Sequence, residues 1–540
     1  MLARTYTSTL VGIDGLVISV EVNLAKGIPY THVIGRTDNV VKESIERIRA
    51  AITNDSMAFP LCRITINLAP ADIKKRGSHY DLPIAVAIIA ASDPKRIKIN
   101  LEEYAFFGEL SLDGKVNPVR GMLPLAMSAQ EQGIKNIVVP YDNRYEVSLL
   151  KECRLVCVKC LNDVIKIIEG KESSYQLHIN EEKCEEGADL FNVKDLEEEK
   201  SNNKLKDFNQ VYGQENIKRA MVIAAAGGHN MLIMGAPGTG KSMLAERFID
   251  ILPPMSYKEQ VEVTKIHSIG GIMKNNMPLL NKRPFRAPHN SITAAGMFGG
   301  GAEPKPGELS YAHNGVLFLD ELQQFETNIL QLMRVPLETK EIIINRNRNT
   351  YVFPADTLLL AAVNPCKCGY RDDPKHMCTC TQSQLNHYFD KLSGPFIDRI
   401  DMQVRMNPIE YEVIENPTDG MSTKDMKILV TLARKLQENR YINEDFKLNG
   451  NLDEEGIKKY IILDKESKEF LKLVFNRKGL SVRSYNKILK MARTIADVDN
   501  QEQITIKHIA EAVQYRNLEE LCREKYKLKG ELCIEEKENM

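Results

Sequence analysis

A glycine-rich loop of eight residues carries the clearest chemical signal in the sequence. It follows an apolar run at 231–234 and has the phosphate-binding pattern GxxxxGK[ST] throughout: Gly235, Ala236, Pro237, Gly238, Thr239, Gly240, Lys241 and Ser242. The glycines let backbone N–H groups turn toward phosphate, Lys241 can reach the β- and γ-phosphates, and Ser242 can bind Mg²⁺. A helix after the loop adds its positive N-terminal end. The loop therefore predicts binding of ATP and Mg²⁺.

Two carboxylates supply the second half of a nucleotide site. Asp320 and Glu321 follow the apolar run at 316–319. Asp320 is predicted to hold the Mg²⁺ and Glu321 to polarise the attacking water as a general base. Asn364 ends the next strand-like run, at 357–363, and we interpret it as sensor 1, which contacts the γ-phosphate or the water. Together these residues predict an ATPase of the AAA+ type.

Two arginines could complete this site. Arg399 lies in the segment GPFIDRID, after the predicted sheet, and could enter a neighbouring subunit's site as an arginine finger. Arg483 opens a predicted helix and fits sensor 2; it shares a basic face with Lys487 and Lys490, opposite an apolar face. A surface salt bridge is the alternative interpretation for each arginine.

The overall composition indicates a globular protein of several domains. The chain has 540 residues, 43% hydrophobic and 27% charged, with a formal net charge of −1, so any contact with nucleic acid must come from a local basic surface. The apolar runs are short, and the N-terminus has no secretory core, so we expect a cytoplasmic protein. The 11 cysteines are then free thiols or metal ligands rather than disulfides.

The predicted helices and strands that position these residues divide the chain into successive regions. Residues 1–172 alternate apolar runs with helix-like stretches at 39–52 and 81–92, which predicts a mixed α/β domain. An acidic stretch at 173–207 is typical of a flexible linker. Residues 208–408 alternate strands and helices and predict a P-loop core with a parallel sheet. Residues 409–520 are helical and basic and predict a lid, followed by a charged tail at 521–540.

Several motifs resemble the YifB/ComM family of magnesium-chelatase-like AAA+ ATPases. They are GAPGTGKS, RPFRAPHNS (283–291), GVLFLDEL (315–322), NPCKCGY (364–370), GPFIDRID (394–401) and ARKLQENRY (433–441). The chain departs from the family at Asn290, where relatives have a second histidine after His289. The resemblance implies a ring, expected to be a hexamer, with ATP bound between subunits. Relatives in competent bacteria are DNA helicases that promote branch migration, and magnesium chelatase uses a similar motor to insert metal into a porphyrin.

The N-terminal region resembles the α/β domain of Lon protease, through the segments at 70–85 and 114–140. Lon uses a serine–lysine dyad, and these two positions fall on His79 and Leu123. Ser78 is adjacent, but the motif offers it no suitable lysine. We therefore expect a Lon-like fold without peptidase chemistry, which disfavours an ATP-dependent protease.

Two segments could contact DNA. The run at 341–354 predicts a β-hairpin with Arg346 and Arg348 at its tip. The glycine-rich insertion at 283–301 carries Arg283, Arg286 and His289. In AAA+ relatives such a hairpin points into the pore of the ring, so both segments are predicted to hold DNA phosphates there. The alternative is that neither segment contacts DNA: the hairpin is then a solvated surface element and the insertion is structural.

Four cysteines form two close pairs directly after Asn364. Cys366 and Cys368 are followed by Cys378 and Cys380, and four thiolates could bind one tetrahedral Zn²⁺. The spacing within each pair is one residue shorter than usual, so four free thiols remain the alternative.

These observations lead to one hypothesis and one alternative. The chain is expected to be an ATP-driven motor that binds and remodels DNA, as a branch-migration helicase does. The alternative is an ATP-driven chaperone or metal-insertion subunit that acts on a protein partner. DNA-stimulated hydrolysis of ATP would distinguish them.

Overall fold

The computed structural model describes residues 1–35, 38–75, 77–150, 152–171, 207–273, 277–302, 304–346, 349–371, 376–392, 396–407, 415 and 420–516. The predicted acidic linker, apart from Asp207, and the predicted charged tail lie outside these residues, as does Arg348. Among the helices within the described ranges, none is both long and apolar enough to span a bilayer.

Residues 1–171 form a mixed α/β unit around a seven-stranded sheet. Its strands have the spatial order β3-β4-β2-β1-β5-β8-β9. The strands are β1 (Leu2–Val11), β2 (Asp14–Ala25), β3 (Tyr30–Ile34), β4 (Arg63–Ala69), β5 (Tyr104–Phe106), β8 (Asn136–Pro140) and β9 (Arg154–Val158), with β6 (Glu109–Leu110) and β7 (Val116–Asn117) as a separate pair. The helices are α1 (Asn39–Asn54), α2 (Asp81–Ser92), α3 (Met122–Glu131), α4 (Arg144–Val147) and α5 (Leu161–Ile168).

The two helix predictions in this unit are confirmed. Helix α1 covers 39–54 and begins at Asp38, whose side chain accepts a hydrogen bond from the Val41 N–H. Helix α2 is buried from Asp81 to Ala91, which explains why its sequence is apolar without a helical period. Burial raises the pKa of Asp81, and Arg47, which donates to its carboxylate at 2.7 Å, opposes that shift.

Residues 207–407 build a five-stranded parallel sheet with the order β11-β12-β15-β10-β16. The strands are β10 (Met231–Met234), β11 (Phe285–Arg286), β12 (Val316–Leu319), β15 (Leu358–Val363) and β16 (Met402–Arg405), and β13 (Glu341–Arg346) and β14 (Asn349–Pro354) form an antiparallel hairpin. The helices are α6 (Glu215–Gly227), α7 (Lys241–Ile251), α8 (Tyr257–Gly270), α9 (Ala294–Phe298), α10 (Glu308–Tyr311), α11 (Thr327–Leu332), α12 (Pro336–Thr339) and α13 (Gln382–Leu392).

The central strand β10 shows why this sheet is buried on both faces. Met231 and Ile233 join one hydrophobic cluster, and Leu232 and Met234 join another on the opposite face. A strand covered on both sides has a continuous apolar sequence rather than an alternating one. The predicted strands at 231–234, 316–320 and 357–363 are therefore confirmed as β10, β12 and β15.

A helical unit at 420–516 packs on one face of this sheet and shares its core. Its helices are α14 (Thr423–Arg440), α15 (Glu454–Tyr460), α16 (Lys465–Lys478), α17 (Val482–Val498) and α18 (Ile506–Gln514). The buried carboxylate of Asp497 accepts hydrogen bonds from Arg440 and Arg493, at 2.5 and 3.0 Å, and ties α14 to α17.

The N-terminal unit contacts the ATPase core through α3 and α8. The Gly121 N–H donates to the Ser268 carbonyl at 3.3 Å, Ser268 Oγ donates to Glu146, and Lys265 pairs with Asp14 at 3.0 Å. Burial raises the pKa of Glu146. The fold class is thus confirmed as mixed α/β with a parallel-sheet ATPase core.

Candidate nucleotide site and the opposite edge of the sheet

The carboxyl ends of three adjacent parallel strands bring the predicted nucleotide residues together. Strand β10 runs into the loop at 235–242, β12 into Asp320 and Glu321, and β15 into Asn364. Because β15 lies between β10 and β12, Asn364 is placed between the loop and the two carboxylates. This edge of an open parallel sheet is where ligands usually bind. We call these residues the carboxyl-edge site.

The loop has the geometry that a phosphate requires. Gly238 and Gly240 have φ angles of 77° and 94°, which L side chains rarely adopt. Lys241 Nζ donates to the carbonyl oxygens of Gly235 and Ala236, at 2.8 and 2.9 Å, and to Asn364 Oδ1 at 3.1 Å. All three acceptors are neutral. A cation held by neutral acceptors at the start of a helix fits an anionic ligand.

The electrostatics of Lys241 follow from its surroundings. Burial lowers the pKa of its ammonium group, and the negative charges of Asp320 and Glu321 oppose that shift. A phosphate at this position would add further negative charge and favour the protonated form.

The two predicted Mg²⁺ ligands lie in contact with each other. Ser242 Oγ donates to Asp320 Oδ2 at 2.6 Å, so a hydroxyl and a carboxylate oxygen lie side by side. Oxygen ligands of this kind suit Mg²⁺, which usually keeps several waters and takes its remaining ligands from one or two side chains and phosphates. The residues therefore fit a Mg²⁺–ATP complex.

Glu321 has an unusual backbone conformation and a side-chain hydrogen-bond partner. Its backbone has a φ of 50° and a ψ of 50°, a left-handed conformation that is uncommon for glutamate. Gln324 Nε2 donates to Glu321 Oε2 at 2.6 Å, and Gln324 Oε1 accepts from Asn290 at 2.7 Å. The predicted general base is thus linked through Gln324 to the insertion at 283–301.

Arg399 and Arg483 lie together, at the opposite edge of the sheet. Arg399 precedes β16, so the expectation that it lies after the sheet was wrong, because the sequence pattern did not reveal this fifth strand. Arg483 is in the first turn of α17. Both guanidinium groups contact the carboxylate of Glu338 on α12, Arg399 at 3.2 Å and Arg483 in a closer ion pair. We call Arg399, Arg483 and Glu338 the amino-edge cluster, because it adjoins the start of strands β10, β15 and β16.

A cavity of about 500 Å³ opens beside this cluster. Its lining includes both arginines, Glu338, Lys487 and Lys490. Lys487 pairs with Asp401 at 2.9 Å, and Asp401 accepts from the Asn230 N–H at 2.9 Å, just before β10 begins. Arg483, Lys487 and Lys490 thus share one side of α17, as the sequence pattern indicated.

The two edges are far apart within one subunit. Asn230 and Gly235 are the residues on either side of β10, and the five residue steps between them span roughly 16 Å. The described geometry therefore does not bring Arg399 or Arg483 into contact with the loop of their own subunit. Their roles as arginine finger and sensor 2 stay predictions.

The hairpin prediction is confirmed in its structure, whereas its role stays a prediction. β13 and β14 pair from Glu341 with Pro354 to Arg346 with Asn349. Phe353 is fully buried in the core at the base of the hairpin, and Arg346 is exposed at its far end. An ion pair of 2.9 Å between Lys340 and Asp356 closes the base.

The basic residues of the insertion are engaged within the subunit. Arg283 donates to the carbonyls of Pro253 and Asn314, both at 2.7 Å, and its side chain is only 10% exposed. Arg286 forms a two-point ion pair with Glu308, with both distances 2.6 Å. His289 is exposed and its Nδ1 contacts Ser291 Oγ at 2.8 Å. Of the described candidate DNA residues, Arg346 and His289 are the exposed ones.

The four cysteines converge into one cluster. Their sulfur atoms all lie within 4.8 Å of one another, and each thiol is free of a disulfide. The members are Cys366, Cys368, Cys378 and Cys380.

The Lon-like positions have structural partners. His79 is buried, its Nε2 lies 2.9 Å from the Ser8 carbonyl, and burial lowers its pKa to about 4. Leu123 is fully buried. Ser78 Oγ donates to Glu109, while the nearby Lys75 donates to the Pro70 carbonyl. The absence of a working dyad stays a prediction.

Comparison with known proteins adds a family assignment to this geometry. Residues 207–414 match the family profile "Magnesium chelatase, subunit ChlI", residues 20–143 match "Subunit ChlI of Mg-chelatase", and residues 420–516 match "Magnesium chelatase, subunit ChlI C-terminal". The N-terminal unit is also similar to Lon protease of Geobacter metallireducens, with 27% identity over 167 residues, which cover 29% of this chain and 20% of that protein.

Two relatives match almost the whole chain. Competence protein ComM of Haemophilus influenzae is 38% identical over 518 residues, which cover 95% of this chain and 97% of that protein. The uncharacterized protein YifB of Salmonella typhimurium is 38% identical over 521 residues, which cover 96% and 98%. The resemblance inferred from the motifs is therefore confirmed, and the chain belongs to the YifB/ComM family of magnesium-chelatase-like AAA+ ATPases.

Proposed function

We propose that this protein hydrolyses ATP at sites shared between the subunits of a ring, expected to be a hexamer in the cytoplasm, and uses the energy to remodel DNA. One observation carries the shared site: the loop with Lys241 and the pair Arg399 and Arg483 lie at opposite edges of one sheet. A ring in which each carboxyl-edge site faces the next subunit's amino-edge cluster would complete every nucleotide site.

Each residue has a defined task in this reaction. Bound Mg²⁺ neutralises charge on the phosphates. Lys241 exchanges its carbonyl acceptors for phosphate oxygens, and Ser242 and Asp320 supply the metal ligands. Asn364 orients the water, and Glu321 accepts its proton as general base once Gln324 releases the carboxylate. The neighbour's Arg399 and Arg483 offset the charge of the transition state.

DNA is the proposed substrate of the motor. The support is the exposed Arg346 at the end of a hairpin whose base is packed in the ATPase core, together with the similarity to a competence protein. An arginine on a hairpin can hold a phosphate without reading base sequence. Branch migration of recombination intermediates is the activity that this combination favours. Zn²⁺ at the four-cysteine cluster is a further metal in the proposal.

A second candidate function is action on a protein partner, as a chaperone or a metal-insertion subunit. It is favoured by the matches to magnesium chelatase subunit profiles along the chain.

Hydrolysis of ATP with and without forked DNA tests the proposal. We expect forked DNA to raise kcat several-fold in the wild-type protein and to have little effect in R346A. Because Arg346 is proposed to contact phosphate, R346A should also lower the dependence of DNA affinity on salt. The matched control is K340A, at the base of the same hairpin. Hydrolysis that is indifferent to DNA, with R346A binding DNA as the wild type does across a salt series, would favour the protein-partner function.

A further inference from the structure

The four-cysteine cluster has the dimensions of a metal site. Cys366 Sγ lies 3.3 Å from Cys368 Sγ and 3.7 Å from Cys378 Sγ, and the last two are 3.5 Å apart. Four sulfur ligands at about 2.3 Å from a tetrahedral ion are about 3.8 Å from one another. A disulfide needs about 2.0 Å between its sulfur atoms. The spacing therefore matches a shared ion and not two disulfides.

Backbone groups around the cluster orient its sulfur atoms. The Cys368 N–H donates to Cys380 Sγ at 3.4 Å, and the backbone of Tyr370 and of Thr379 hydrogen-bonds to Cys368. Donors that orient the ligands in this way are the usual second layer of a metal site. Cys366 is 1% exposed and the other three are partly buried, so the centre is shielded but open to entry of an ion.

The position of the cluster gives it a consequence for the nucleotide site. One cysteine pair follows β15 and Asn364, and the other immediately precedes α13. Between the pairs, Gly369 has a φ of 87°, and a Cβ on it would lie 2.7 Å from the Pro237 ring of the phosphate-binding loop. From α13, the Tyr388 hydroxyl donates to the Asn364 carbonyl at 2.7 Å. Gly369 therefore packs closely against the phosphate-binding loop, and a hydrogen bond from α13 holds the backbone of Asn364.

We propose that Cys366, Cys368, Cys378 and Cys380 bind one structural Zn²⁺, and that this ion holds Asn364 and Pro237 in register. The described residues between β15 and α13 lie in neither helix nor strand, and a tetrahedral ion would supply order to this connection. Zinc binding stands on the cysteine geometry alone, whereas its effect on hydrolysis rests on the proposed ATPase function.

Metal content of the purified full-length chain tests the site directly. We expect about one Zn²⁺ per chain, displaced in the double variant C366S C368S. Growth with Co²⁺ should give the strong thiolate-to-cobalt absorption of a four-sulfur site. C62S is the matched control, since Cys62 is a partly buried thiol outside the cluster, and it should keep the metal. A metal-free wild-type chain, or one whose four cysteines form disulfides under reducing purification, overturns the proposal.

A second experiment compares K241A with C366S C368S and separates zinc binding from ATP hydrolysis. K241A should retain Zn²⁺ and lose hydrolysis, while C366S C368S should lose Zn²⁺ and lower kcat at least about 10-fold through misplaced Asn364. Hydrogen exchange of 364–371 should rise in the double variant and stay unchanged in C62S. Zinc present in a chain without ATPase activity would contradict only the proposed function. A zinc-free double variant with wild-type kcat and exchange would contradict only the positioning role.

Discussion

The two edges of the ATPase sheet, which we propose to complete one nucleotide site between neighbouring subunits, differ in how their charged groups are satisfied. At the carboxyl edge, Lys241 donates to neutral oxygens, and Ser242 is hydrogen-bonded to Asp320. At the amino edge, Arg399 and Arg483 both contact the carboxylate of Glu338. The carboxyl edge can therefore accept an anionic ligand at Lys241, whereas the arginines of the amino edge are already paired with the carboxylate of Glu338.

This difference suggests how assembly and hydrolysis are linked. In the proposed ring, a neighbour's γ-phosphate would compete with Glu338 for the two arginines. Glu338 lies on α12, directly before the hairpin that begins at Glu341. Release of Glu338 would therefore free the segment that leads into the proposed DNA-binding hairpin. The amino-edge cluster would then sense the nucleotide of one subunit and act on the hairpin of the next.

The largest expected effect separates binding from hydrolysis. K241A should abolish binding of ATP, because Lys241 is the cation of the loop. R399A should leave binding of ATP within about 3-fold of wild type and lower kcat on the order of 10³-fold, as loss of an arginine finger does. Fluorescent nucleotide titration and steady-state hydrolysis measure the two quantities. If R399A loses ATP binding as K241A does, the proposed difference in role between the two edges is wrong.

A smaller effect on the rate of hydrolysis is expected when the carboxylate of Glu338 is removed. E338Q should release both arginines and raise the rate at low protein concentration by about 2- to 10-fold, since exposed ion pairs contribute up to about 1 kcal/mol each. E341Q is the control, because Glu341 is a nearby exposed carboxylate at the start of the hairpin. The rate should be measured against subunit concentration. A slower E338Q protein would show that Glu338 supports the arginines instead of competing for them.

A separate effect of acid concerns the stability of the amino edge rather than the rate of hydrolysis. His229 lies just before β10, bonded to Thr494 Oγ1 at 2.8 Å and facing Asp401, Lys487 and Lys490; burial lowers its pKa to about 4. The neutral ring is favoured in the folded state, so stability is complete above about pH 6.5 and falls as pH drops toward 4, by up to about 3 kcal/mol.

Urea unfolding across this pH range measures the acid effect. H229Q should lose part of the decline, whereas H289Q, whose side chain is exposed, should retain all of it. An equal decline in both variants would place the acid sensitivity elsewhere, for example at the buried His79.

Local patterns were sufficient to predict much of the site. The strand–loop–helix at 231–251 and the run before Asp320 specify their own geometry, because backbone conformation and burial there depend on near neighbours in sequence. The hairpin at 341–354 was predictable for the same reason.

The contacts that were not predicted join residues distant in sequence. Glu338 meets Arg399 within the ATPase core, and it meets Arg483 only after the helical unit docks on the sheet. Gln324 shows no pattern that would mark it as the partner of Glu321. The buried state of Arg283 depends on carbonyls of Pro253 and Asn314, which no spacing rule connects. Such contacts are decided by packing between segments that are distant in sequence.

The most direct test of the shared site is subunit mixing. K241A lacks a working loop but keeps its arginines, and R399A R483A has the reverse defect, so each alone should be nearly inactive. At equal mixing, half of the subunits have an intact loop and half of their neighbours have intact arginines, so up to roughly a quarter of the wild-type rate should return. No recovery in rings shown to contain both variants would contradict a nucleotide site completed by the neighbouring subunit.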